Sequence, residues 1–340
     1  MAPLSAATTV DPIALTRALV DIDSTTGREG EAGRYLSRYL SDLGWTVVEQ
    51  PVSGERANIV ATRSASPAVV LSTHFDCVPP FFPSRIEHDR IYGRGSCDAK
   101  GILAAQVAAA DALVRSGETR VGLLFVVGEE RGSDGAKAAN RAAPGGCRYL
   151  INGEPTDSRL GLATRGALRV RLRASGRAAH SSFPDLGVSA IEKLVDALVA
   201  LRSIALPADP VMGRTHYTVG LISGGVAPNV VPASAEAEVM FRTVSDTGPV
   251  LDAIAPLADR VDIEHVLEVP LVKLTTVPDM ETAVFPYTTD MPFLGAWGRP
   301  LLFGPGSIHV AHTADEYVSI PELSAAVDRY VAIARYLLDS

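Results

Sequence analysis

The sequence predicts an α/β protein, a doubly wound, mostly parallel sheet carrying a smaller inserted unit of ferredoxin-like α+β type. Three observations predict it. Two continuously apolar runs, 68–71 and 121–127, read as strands covered on both faces, with helical patterns between them. Near residue 164 the texture changes to strands that alternate apolar and polar residues with period two, the mark of a sheet with one wet face. From about residue 268 the first texture resumes, so the expected main domain is 1–163 with 269–340, and the expected insert is 164–268.

Taken in order, 11–20 and 29–43 place apolar residues at helical spacing (Leu36, Tyr39, Leu40, Leu43), and Gly44 supplies the stop. Strands are expected at 46–50, 58–62 and 68–72, an Ala-rich helix at 102–114, and further strands at 121–127 and 148–152. Strands that alternate with helices imply crossover connections and a parallel sheet. In the insert, 167–174 (ALRVRLRA) alternates cleanly and should turn Arg169, Arg171 and Arg173 to solvent. A helix at 188–204, strands at 215–222 and 233–243, a helix at 250–260 and a strand at 261–267 complete a β-α-β-β-α-β order. A helix at 321–338 ends the chain.

Composition excludes more than it selects. Of 340 residues, 47% are apolar and 21% charged, ordinary for a soluble globular protein. The net charge of −8 argues against nucleic acid or an anionic membrane as the main partner. Cys77, Cys97 and Cys147 are odd in number and form no CxxC, which fits a reducing compartment. The first twenty residues lack a basic stretch followed by an apolar one, and no run of 18 apolar residues occurs, so the expected location is the cytoplasm.

Metal-type side chains gather at the ends of the expected buried strands. His74 and Asp76 follow 68–72, Asp98 lies in a loop before the Ala-rich helix, Glu129 and Glu130 follow 121–127, and Glu154 follows 148–152. His309 and His312 lie near the end of the chain, and spacing alone does not choose between them. Each of these alone is ordinarily a solvated charge or a structural histidine. Together, two imidazoles and several carboxylates at strand ends form a nitrogen-and-oxygen set suited to zinc, cobalt or manganese.

The segments HFDCVP (74–79), GRGSCDAKG (93–101), GEE (128–130), GEPT (153–156) and AHTADE (311–316) resemble, in order and spacing, the M20 family of zinc peptidases and deacylases. The resemblance spans nearly the whole chain and implies a catalytic domain with an inserted dimerisation lid. It implies two divalent ions bridged by Asp98, with His74 and Glu154 completing one site and Glu130 and His312 the other. It makes Asp76 the residue orienting His74, and Glu129 the general base acting on a water shared by ions about 3.5–4 Å apart. In the insert, GRAAHSS (176–182) implies that His180 binds the oxyanion, and Asn229 and Arg242 match lid positions that hold a substrate carboxylate. Backbone amides of Gly304 and Gly306 are expected at the same carboxylate. The implied reaction is deacylation of an N-acyl amino acid, acetylornithine-type first and desuccinylation of a diaminopimelate precursor next. A dipeptidase or carboxypeptidase, and a catalytically inactive assembly protein, are the alternatives. The implied partners are a small N-acyl amino acid or dipeptide and a second copy of the chain.

Overall fold

The computed structural model describes residues 9–340, which form two compact units. The first holds the described residues up to Leu162 with Leu274–Ala283 and Thr289–Ser340. The second holds Ala163–Lys273 and Val284–Thr288, so it runs past the expected end at 268 and takes in a short later segment.

In chain order the strands used below are β1 (Thr46–Ser53), β2 (Arg56–Thr62), β3 (Val69–His74), β4 (Val121–Val126) and β5 (Tyr149–Asn152). There follow β6 (Gly166–Ser175), β7 (His216–Gly224), β8 (Ser234–Thr243), β9 (Asp262–Val269) and β10 (Arg299–Leu302). The helices are α1 (Pro12–Val20), α2 (Gly30–Asp42), α3 (Gly101–Arg115), α4 (Asp134–Arg141), α5 (Ala190–Leu201), α6 (Gly248–Ile254) and α7 (Ile320–Asp339).

The sheet of the first unit has the order β1-β2-β4-β3-β5-β10. β4, β3, β5 and β10 run parallel, while β1 and β2 form an antiparallel edge. The apolar run of β3 has no wet face. Val69 and Leu71 pack into a core with Leu36, Leu103 and Tyr330, and Val70 packs on the other side with Leu124, Ala136 and Trp297. Both coverings are needed because parallel strands joined by crossovers receive helices on each face. Helix α1 starts at Pro12 because Asp11 Oδ1 accepts the amides of Ile13 and Ala14 at 2.8 and 3.3 Å and so caps its N-terminus. Strand β10 was not expected, since RPLL is short and carries a proline that reads as a breaker.

The second unit is a four-stranded antiparallel sheet of order β7-β8-β6-β9, with α5 and α6 on one face, which is the ferredoxin-like arrangement. Leu168, Val170 and Leu172 of β6 pack on Leu194, Leu201, Val250 and Ile254. The arginines of β6 do more than face water. Arg171 meets Glu238 at 2.7 Å and Glu264 at 3.3 Å, and Arg173 meets Glu264 at 2.9 Å, so the polar face is a cross-strand ladder of ion pairs. The helix expected at 250–260 is divided: α6 ends at Ile254, and a short 3-10 turn with Pro256 in its first positions follows. Among the described residues no helix is long and apolar enough to cross a membrane.

Candidate metal centre

The parallel strands of the first unit bring the chemistry to one end of the sheet. His74 is the last residue of β3, Glu129 and Glu130 lie in the turn after β4, Glu154 follows β5, and residues 303–312 follow β10. The turn after β4 opens on Gly128 at φ +76°, where a Cβ would run into the Asp134 carboxylate and the Arg56 guanidinium. His312 itself sits at φ +63°, the left-handed region that a bulky side chain occupies only under local constraint.

Two groups of three side chains share one residue. His74, Asp98 and Glu154 offer ligand atoms all within 4.8 Å of one another, and so do Asp98, Glu130 and His312. The two oxygens of Asp98 point to different groups. Oδ1 lies 3.0 Å from His74 Nε2, while Oδ2 lies 3.3 Å from His312 Nε2. His74 Nε2 is 4.0 Å from Glu154 Oε2, and His312 Nε2 is 2.9 Å from Glu130 Oε1. The first group is buried and the second opens to solvent on the His312 side, whose ring is 48% exposed against 1% for His74.

Asp76 has a wider task than orienting an imidazole. Its Oδ1 and Oδ2 accept the backbone N–H groups of Glu129 and Glu130 at 3.1 and 3.3 Å, and Thr26 donates to Oδ2 at 2.8 Å. His74 Nδ1 lies 3.1 Å from the Asp76 backbone oxygen and 3.5 Å from its carboxylate, which leaves Nε2 to face Asp98. Asp76 therefore holds the histidine through its backbone oxygen and the turn with both glutamates through its carboxylate.

The electrostatics favour cations. Burial, with Glu154 next to it, raises Glu129 well above the ordinary carboxylate range, and burial raises Glu154 likewise. Glu154 Oε1 is buried without any hydrogen-bond partner, a costly state for a carboxylate oxygen. Hydrogen bonds to Asp98 and Glu130 hold the His312 imidazolium up to about 10. The carboxylates that favour a proton there favour a divalent ion in its place. The nitrogen-and-oxygen donor set, the orphaned oxygen and the carboxylate shared by the two groups all fit two such ions.

The remaining expected residues divide. His309 is exposed and belongs to neither group. Gly304 and Gly306 lie beside the site, but their amides already donate to Thr156 Oγ1 and Glu322 Oε1, each at 3.0 Å. Both N–H groups expected at a substrate carboxylate thus have intramolecular acceptors in this arrangement. His180, Asn229 and Arg242 all belong to the second unit. The ring of His180 is exposed, and its Nδ1 accepts the Ser182 amide at 3.1 Å, so the neutral ring carries its proton on Nε2. Asn229 holds the same loop through its backbone oxygen, 3.0 Å from the Ser181 nitrogen. Arg242, half-buried on β8, meets no carboxylate among the described residues. Burial pulls its pKa down.

Sequence reasoning missed Arg94, Lys100, Asp290 and Glu316. Lys100 is fully buried and donates to the carbonyls of Leu19 and Ile22 at the end of α1. Asp290 is 1% exposed with both carboxylate oxygens unpaired, and burial pushes it up to about 7. GRGSCDAKG and AHTADE contain three of the four residues, but nothing local says that a Lys, Arg or Glu within them turns inward.

Residues 70–336 match the model for peptidase family M20/M25/M40. A probable carboxypeptidase of Aspergillus fumigatus is 37% identical over 377 residues, covering 95% of this chain and 86% of the relative. The structure is similar to aminopeptidase PepT of Bacillus cereus, with a TM-score of 0.80 at 21% identity over 97% of this chain and 100% of that one. It is also similar to the YXEP protein of Bacillus subtilis, described as a dinuclear metal-binding peptidase of family M20, with a TM-score of 0.75 at 15% identity over 96% and 98%.

Proposed function

This chain belongs to peptidase family M20/M25/M40 and is a metal-dependent hydrolase, and from that premise we propose that it is a two-metal carboxypeptidase or dipeptidase. It cleaves the amide bond beside a free carboxylate. The observation that carries the proposal is the orientation of Asp98, one oxygen toward the His74–Glu154 group and the other toward the Glu130–His312 group. The names of the relatives favour a peptide over the acetylornithine-type substrate that the sequence put first. Deacylation of an N-acetyl or N-succinyl amino acid uses the same groups and is the second reading.

His74, Asp98 and Glu154 would hold one ion, and Asp98, Glu130 and His312 the other; zinc suits the donors, as do cobalt and manganese. When bound, two such ions supply Lewis acidity to the scissile carbonyl and to the attacking water. Glu129 performs the proton chemistry. No donor among the described residues holds its carboxylate, and Asp76 fixes its backbone through the amide. It accepts a proton from the water and delivers it to the nitrogen of the leaving amine. Asp76 keeps Nε2 of His74 turned inward. From the second unit, His180 is assigned a hydrogen bond to the oxyanion, and Asn229 and Arg242 the substrate carboxylate. The guanidinium of Arg242, which meets no carboxylate among the described residues, supports that assignment.

The second unit is also assigned the contact between two copies of the chain. Its edge strand β7 exposes Leu221 at 64% and Ile222 at 61%, and Val226 beyond it at 87%, an apolar edge that a solitary sheet rarely leaves bare. We assign the cytoplasm as the location, on the cysteine usage.

The test is amine release by zinc- or cobalt-loaded protein from dipeptides, longer peptides, and N-acetyl and N-succinyl amino acids. Peptides should be cleaved from the carboxyl end, and Glu129→Gln should lose about 10²- to 10⁴-fold in turnover while keeping both ions. Turnover of acyl amino acids alone would move the assignment to the deacylases. An unchanged Glu129→Gln would remove that residue from the chemistry.

A further inference from the structure

Glu316 lies four residues after His312, is wholly buried, and is a member of neither ligand group. Its Oε1 accepts two consecutive backbone N–H groups, those of Cys97 and Asp98, each at 3.1 Å. Its Oε2 takes Nη1 of Arg94, also buried, at 2.6 Å. Arg94 Nε reaches the carbonyl of Pro80 at 3.2 Å, and the Glu316 carbonyl accepts the amide of Gly93 at 3.1 Å. One side chain thus fastens the loop bearing Asp98 to the segment bearing His312, although 218 residues separate Glu316 from Asp98.

A buried ion pair is weak support for stability, because an apolar pair of similar size commonly does as well. What a charged pair supplies here is direction. Two charge-assisted bonds to adjacent amides fix the peptide that orients the Asp98 carboxylate. That carboxylate must turn one oxygen to each group, and a small rotation would satisfy one at the expense of the other. Asp76 treats the amides of Glu129 and Glu130 in the same way. Each of these two ligand-bearing loops is therefore held by a buried carboxylate accepting two consecutive N–H groups.

We propose that Glu316, backed by Arg94, is a positioning residue that sets the placement of Asp98 against His312, and thereby the affinity of the second of the two metal sites. This rests on reading Asp98 and His312 as metal ligands. Glu316→Asp keeps the charge opposite Arg94 but withdraws the carboxylate by one methylene. The double variant Arg94→Met, Glu316→Gln removes the buried charge pair and keeps a neutral acceptor near the amides.

Metal-stripped protein and both variants would be titrated with cobalt(II) alone and zinc(II) alone, following the cobalt visible absorption, the ions bound per chain, and the melting curve. Glu316→Asp should weaken one of two sites by about 10- to 100-fold and change the cobalt spectrum well below its melting temperature. The double variant should show the same loss with a melting curve close to that of the parent. Two parent-like sites with an unaltered spectrum in either folded variant, whatever the change in melting, would overturn the proposal and leave Glu316 a packing residue. A parent protein that binds fewer than two ions would instead overturn the two-metal reading beneath it.

Discussion

Asp76 shows how much a single buried carboxylate can organise. It accepts from Thr26 and from the amides of Glu129 and Glu130, and it lies against the His74 ring. Asp76→Asn puts an amide donor where donors already converge, so one of these contacts must be given up. Metal affinity should fall by about 10- to 100-fold, and turnover should fall beyond what metal saturation restores, because the Glu129 turn loosens too. Full rescue by excess zinc would confine the role of Asp76 to His74. The two C-terminal histidines offer a sharper test. His312 Nε2 lies 2.9 Å from Glu130, whereas His309 is outside both groups. His312→Ala should leave one ion per chain by elemental analysis, and His309→Ala should leave two. The reverse result would exchange their assignments. At this scale the grouping of His74, Asp98, Glu130, Glu154 and His312 was legible, since each lies in a recurrent motif at or after the end of a strand or just before a helix. Glu316 and Arg94 were not, because their meaning is a contact across 222 positions. Nor were the amides of Gly304 and Gly306 legible as already occupied, since a glycine-rich loop shows where backbone is accessible without showing which acceptors it finds.

At the scale of elements, the proposed roles require the turn after β4 to deliver two adjacent glutamates to different tasks, and Gly128 lets it. Its φ of +76° and its closeness to Asp134 and Arg56 admit no side chain. Arg56 is itself fixed, bonding Glu29 and Asp134 at 2.8 and 2.6 Å, so it cannot easily yield. Gly128→Ala should cost about 1–2 kcal/mol from the left-handed backbone alone, with more from the collision, and should lower turnover by shifting Glu129. Gly145 meets nothing within 4 Å, and Gly145→Ala should stay within about 0.5 kcal/mol of the parent. Urea midpoints for the two would decide, and equal midpoints would show that the turn relaxes freely. The inner strands of the first unit were readable because their burial is two-sided, and its first helices because their apolar residues recur at helical spacing. The β10 strand and the break of α6 were not, because a proline in a short segment marks an edge strand, a turn or a helix start with equal force.

At the scale of the whole molecule, the two units have separate apolar cores, one around Leu71, Leu103 and Tyr330 and one around Val170, Leu194 and Phe241. Every side chain of the two ligand groups belongs to the first unit. Its carboxylates Asp98, Glu129, Glu130 and Glu154 are crowded at one end of the sheet, and burial opposes charge on both Glu129 and Glu154. Bound ions offset that repulsion and stabilise only the folded form, by about 2.7 kcal/mol at a free concentration 100 times the dissociation constant. Chelation should therefore lower the melting of the first unit and leave the second near its original temperature. Scanning calorimetry with and without a chelator should separate one transition that moves from one that does not. The second unit contributes no side chain to either ligand group, so it has no reason to follow. Equal displacement of all the heat absorbed would mean that the units unfold as one cooperative body, and the effect of each substitution in the metal centre would then have to be read on the stability of the entire chain. No displacement at all would mean that the ligands bear their mutual charge without ions, and would count against the two-metal reading itself.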